Sequence, residues 1–154
     1  VKFFFDENMS PTVVDPLRPL LGREHELVSI FEHNGGRLVS ADDDALIQSL
    51  QSQFDVMVTQ DRSQLRNHRE ALLDSGLHWV GLNVQRQGDL HGLAASAACL
   101  MAGLPHALDT IGSWAGTNGC WITLRGLQRE AKQRITVRNA PEMQHRARVT
   151  RLTS

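Results

Sequence analysis

Residues 54–61 read FDVMVTQD, and the architecture of the chain turns on them. The run 54–59 is rich in β-branched and aromatic residues and carries neither Gly nor Pro, so it predicts a strand that ends just before Asp61. Downstream, Leu65, Leu72 and Leu73 mark the buried side of a helix over roughly 62–74. Leu77 to Val84 predicts a fourth strand, and Asp89 to Met101 an alanine-rich helix broken by Gly103 and Pro105. CWITL (120–124) and RITVR (134–138) follow as two further strands, an edge hairpin with room for a helical turn between Gly126 and Lys132. Upstream, KFFF (2–5) is a short apolar run that stops at Asp6 and reads as a buried first strand. Ser10 and Pro11 suit a helix start, but Pro16 and Pro19 must kink that helix or split it in two. HELVSI (25–30) is a second strand, and Ser40 or Asp42 caps a helix carrying Leu46, Ile47 and Leu50.

Strands that alternate with helices at this spacing imply an α/β fold with a mainly parallel sheet covered on both faces. Ligands of such folds bind at the carboxyl ends of the strands, near a reversal of strand order. Asp6 and Asp61 each follow an apolar strand and so stand where a site is expected.

At 154 residues the chain is expected to be a single domain, 1–154, with 120–154 as a basic C-terminal part. The net charge of -1 conceals a gradient. Residues 1–60 hold ten acids against Lys2, Arg18, Arg23 and Arg37, whereas 120–154 hold eight Lys or Arg against Glu130 and Glu142. Acids beside a basic flank suit a protein that handles phosphodiesters, and equally a basic tail that docks on an acidic partner. Cys99 and Cys120 lie in apolar surroundings and read as reduced core residues. No apolar run approaches a membrane span and no leader pattern opens the chain, so the expectation is a soluble cytoplasmic protein with no membrane partner.

Three acidic groups carry the candidate chemistry: Asp6 with Glu7, the triplet Asp42–Asp43–Asp44, and Asp61. Taken singly, each has an ordinary role as turn former or helix cap. Converging at one end of the sheet, they would form an oxygen-rich cavity suited to Mg²⁺ or Mn²⁺. Asn8 and Thr59 flank the two strand-end aspartates and could hold metal-bound water; Glu7 is either a spare ligand or an outward residue, since strand alternation should turn it away from Asp6. Arg62, Arg66 and Arg69 fall four and three apart in the predicted helix 62–74, a spacing that shares one face and suits backbone phosphates. The seven histidines and two cysteines lack zinc-ligand spacing. There is no glycine-rich phosphate loop and no GxSxG elbow. Trp79, Trp114 and Trp121 could stack on bases but fit a core or interface better.

FFFDENMSP (3–11), with DDD at 42–44 and VTQD at 58–61, resembles the PIN-like family of small proteins often found as toxins in bacterial toxin–antitoxin pairs. The resemblance covers about residues 1–84. It implies a three-layer fold, a central parallel sheet flanked by helices, and a Mg²⁺- or Mn²⁺-dependent nuclease site. Asp6 and Asp61 would be metal ligands, with Asp43 or Asp44 at the head of a helix completing the catalytic set. It also implies an RNA substrate and a small antitoxin that presents Arg or Lys to Asp6 and Asp61; homo-oligomerisation stays open. Two departures stand out: Ser63 and Gln64 where many relatives have a second acid, and Asn83 where a fourth carboxylate is expected. The leading expectation is thus a metal-dependent endoribonuclease. Its rivals are a catalytically inactive module that binds protein or nucleic acid, and a DNA nuclease or phosphatase using the same acids.

Overall fold

Phe3, Phe4 and Phe5 are consecutive and all fully buried, so the strand that carries them, β1 (Lys2–Phe5), is covered on both faces. The computed structural model describes residues 1–84, 90–126 and 135–139, which form a six-stranded sheet in the order β2-β1-β3-β4-β5-β6. The other strands are β2 (Glu26–Ser29), β3 (Val56–Thr59), β4 (His78–Asn83), β5 (Cys120–Arg125) and β6 (Ile135–Asn139). The first five are parallel; β6 returns antiparallel along β5, as the expected edge hairpin requires. The helical turn expected between those two strands lies outside the described residues.

Side-chain alternation divides the core. Phe3, Phe5, Val58, Val80, Ile122 and Leu124 lie on the face covered by α1 (Pro11–Val14) and α6 (Leu90–Gly112). Phe4, Met57, Trp79 and Trp121 lie on the other, beneath α3 (Asp43–Leu50) and α5 (Arg69–Ser75). Helices on both faces leave the central strands β1 and β3 no solvent side, which is why they read as continuous apolar runs. Trp79 and Trp121 are core residues, as expected. The connection after β1 moves one way along the sheet and the later ones the other, so strand order reverses between β1 and β3.

The prolines near the start divide their segment. α1 ends in a 3-10 turn, Asp15–Leu17, before α2 (Arg18–Leu21). Pro16 and Pro19 each take a first-turn position, where the missing N–H has no intrahelical partner to lose. Two expectations are corrected. The helix predicted over 62–74 is two pieces, α4 (Gln64–Asn67) and α5, with His68 at φ -119°, ψ 31° between them. The helix expected to break at Gly103 and Pro105 runs unbroken to Gly112. Leu100, Leu104 and Ala107 are buried against the sheet and hold it across Pro105, while Gly103 allows close approach, since a Cβ there would sit 2.9 Å from a Leu124 methyl. The Pro105 ring itself faces solvent. Among the described residues no helix is long and apolar enough to cross a membrane.

Both cysteines are free and buried, and burial pushes the Cys99 thiol up to about 11. His78 opens β4 and accepts the Cys120 backbone N–H at Nδ1 (3.0 Å). Burial lowers its pKa from 6.5, against a weaker opposing pull from Asp55. The folded protein therefore refuses a proton that the unfolded chain takes up below 6.5. This histidine's contribution to stability is complete above 6.5 and declines as the pH falls from there toward the folded value. Urea midpoints measured on either side of that pH should show the decline, and His78→Asn, whose Oδ1 can still accept the Cys120 N–H, should lessen it.

Candidate functional site at the carboxyl ends of β1 and β3

Asp6 leaves β1 at the reversal of strand order, and its N–H donates to Val58 O at 3.0 Å. Although charged, it is only 1% exposed. A carboxylate can be buried at modest cost only if its oxygens are fully hydrogen-bonded. Asp6 meets that condition. Oδ1 accepts the Glu7 N–H at 2.6 Å; Oδ2 accepts Thr59 Oγ1 at 2.9 Å, Asn8 Nδ2 at 3.1 Å and Gln64 Nε2 at 3.3 Å. Gln64 is itself buried, and its Oε1 accepts the Trp79 indole N–H at 3.4 Å. The strand-end aspartate is thus braced from β3, from α4 and, through Gln64, from β4.

Thr59 ends β3 and is fully buried. Its hydroxyl donates to Asp6 and accepts the Asp61 N–H at 2.9 Å, so it joins the two aspartates. Asp61 turns the chain toward α4: its Oδ1 accepts the Ser63 N–H at 2.9 Å and the Ser63 hydroxyl at 2.6 Å. Asp42 caps α3, accepting the N–H groups of Asp44 and Ala45, which selects it over Ser40. Ser40 has a left-handed φ of 62°, and its N–H donates to Glu7 Oε2 at 2.9 Å. Glu7, in the turn after β1, thus ties the loop before α3 to the end of β1.

Asp43 and Asp44 open α3 and share one partner. His68 Nε2 lies 3.0 Å from Asp43 Oδ2, and Nδ1 lies 2.7 Å from Asp44 Oδ1. The Asp43 carboxyl is pushed up first by burial; His68 pulls it down, and Asp6, Asp61 and Glu7 push it up again. Acids from three separate loops therefore lie within electrostatic reach of one another. Among the described residues, however, no three His, Cys, Asp or Glu side chains are gathered so as to hold an ion together. Each of Asp6, Asp43 and Asp61 is turned to a protein partner: Asp6 to four donors, Asp43 to His68 and Asp61 to Ser63.

The three candidate phosphate contacts do not share a helix face, because the break at His68 removes their spacing. Arg62 precedes α4 and donates to Asn83 Oδ1 at 2.7 Å; Arg66 Nε donates to Asn67 Oδ1 at 3.4 Å; Arg69 opens α5 with its guanidinium 5.6 Å from the Trp121 ring. Sequence reasoning missed the roles of Gln64 and His68. Both stood inside a predicted helix, and only the bend at His68 aims the imidazole at α3. Much of the basic C-terminal flank, including Arg146, Arg148 and Arg151, lies outside the described residues. A cavity of about 480 Å³ opens at the opposite, amino ends of the strands, where Asp55, Leu77 and His78 line it.

The sequence model of a family described as a PIN-like domain matches residues 1–83. The matched span takes in β1 to β4 with Asp6, Asp43 and Asp61, and stops before α6. No curated protein and no solved structure matches the chain significantly.

Proposed function

The chain belongs to the PIN-like domain family, and from that premise we propose that it is a module that binds single-stranded nucleic acid without cleaving it. One observation carries the proposal: Asp6, the acid best placed to hold an ion, is buried and takes four protein donors, so it acts as a brace for the strand ends. The arginines beside this end of the sheet supply the positive charge that a phosphate backbone attracts. The second reading is the metal-dependent endoribonuclease of the toxin type, with Mg²⁺ or Mn²⁺ at Asp6, Asp61 and Asp43, and with an antitoxin as partner. It is favoured by the mutual electrostatic influence of Asp6, Glu7, Asp43 and Asp61.

Labelled single-stranded RNA, with Mn²⁺ or with EDTA, separates the two. The expected result is retention of intact RNA with a Kd on the order of 10 µM at physiological salt, the same in both buffers. Cleavage that needs Mn²⁺ and disappears in Asp61→Asn would establish the nuclease instead. RNA and DNA strands that neither bind nor break would remove both readings.

A further inference from the structure

On the α5 side of the sheet, beyond the acidic cluster, β4, β5 and β6 enclose a cavity of about 170 Å³. Three arginines line it, Arg62, Arg125 and Arg138. We infer that this cavity is a phosphate site that takes a backbone phosphate of a nucleic-acid strand; the inference rests on the nucleic-acid reading of the module.

The register explains how the site is built. Asn83 lies opposite Arg125, Thr123 opposite Thr136, and Trp121 opposite Arg138, so these side chains share one face of the sheet. Gly81 lies between Trp79 and Asn83 on that face and has no side chain. The Trp79 indole fills the gap, lying where a Cβ on Gly81 would be, and forms a floor to the cavity. Beside Leu65, the walls carry the polar side chains of Thr123, Thr136 and Asn83, whose amide already holds Arg62. Among the described residues no acidic side chain lines the cavity, and none of the ion pairs involves Arg62, Arg125 or Arg138.

Three cations gathered around one cavity repel one another and favour an anion. Guanidinium groups match phosphate oxygens in paired, charge-assisted hydrogen bonds, and threonine hydroxyls donate to the same oxygens. The volume is below the roughly 300–1,000 Å³ of a site that encloses a whole drug-sized molecule, so it suits the phosphate of a longer ligand. Arg62 follows Asp61 directly, and β5 lies two strand spacings, ~10 Å, from β3. A strand that crosses the carboxyl ends of the sheet would therefore meet this cavity on leaving the acidic cluster.

The test compares wild type with Arg125→Ala/Arg138→Ala, using Arg23→Ala, an exposed arginine near the amino end of β2, as the charge control. Fluorescence anisotropy with labelled single-stranded RNA should show binding at least tenfold weaker in the double variant and within twofold of wild type in the control. Its salt dependence should flatten by about 0.7 for each phosphate that the variant no longer neutralises. Inorganic phosphate alone should shift the Trp79 indole N–H resonance in wild type and not in the double variant, with Trp114 as internal reference. RNA binding that survives in the double variant, with no phosphate-dependent shift, overturns the cavity while leaving the binding module intact. A shift without any RNA binding overturns the nucleic-acid strand as the source of the phosphate, together with the function proposed above.

Discussion

Trp79→Ala is expected to lower the stability of the protein by about 3–5 kcal/mol, the usual cost of truncating a buried aromatic. For a chain of this size that corresponds to a fall in Tm of roughly 10 °C or more. Trp79 is fully buried on the α5 face, crosses the glycine at position 81, and gives its indole N–H to Gln64. The loss would therefore combine an empty volume in the core with a loosened brace on Asp6. Trp79→Phe separates the two effects, since it keeps much of the ring and removes the donor. It should cost about 1 kcal/mol from the hydrogen bond, plus whatever the smaller ring leaves unfilled. Thermal and urea unfolding of the two variants measure the difference. Equal losses would show that the link to Gln64 adds nothing beyond packing.

Asp6→Ala is the second large effect, and its sign separates the two functional readings. With the carboxylate gone, the Thr59 hydroxyl, the Gln64 amide and the Glu7 N–H lose their acceptor inside the protein. Leaving a buried donor without an acceptor costs about 1–3 kcal/mol for each group. If Asp6 instead belonged to a bare cluster awaiting a cation, deleting its charge would relieve repulsion and raise stability in metal-free buffer. Urea unfolding in EDTA decides between a loss and a gain. Asp61→Asn should differ little from wild type, within about 1 kcal/mol, because the amide oxygen can still accept from Ser63. A gain in stability for Asp6→Ala would refute the role of Asp6 as a brace and return the metal site to first place.

The order of strands and helices was contained in local patterns. Among KFFF, ELVS, VMVT, HWVGLN and CWITLR, the central KFFF and VMVT have the continuous apolar character of strands covered on both faces, and turn-forming residues or helix caps punctuate the series. The strand-end placement of Asp6 and Asp61 followed, because the chain must leave each strand at a defined residue. Cap chemistry narrowed the start of α3 to Ser40 or Asp42, and the structure selects Asp42, whose side chain accepts the free N–H groups of Asp44 and Ala45.

What each acid faces was decided only by tertiary structure. Whether Asp6 meets an ion or an amide depends on Gln64, fifty-eight positions along the chain, and on the Trp79 indole that holds it. His68 could be aimed at Asp43 and Asp44 only by a break in a segment whose leucine spacing reads as one helix. Pro105 carried a break signal that packing overrode, since burial of Leu100, Leu104 and Ala107 outweighs one absent hydrogen bond on an exposed face. Arg62, Arg125 and Arg138 lie far apart in sequence, and only the pairing of β4, β5 and β6 gathers them around one cavity. Periodicity reports which side of an element is buried, because burial depends on the residue's own polarity. It carries no record of partners, because these are set by register and by the placement of segments brought together only on folding.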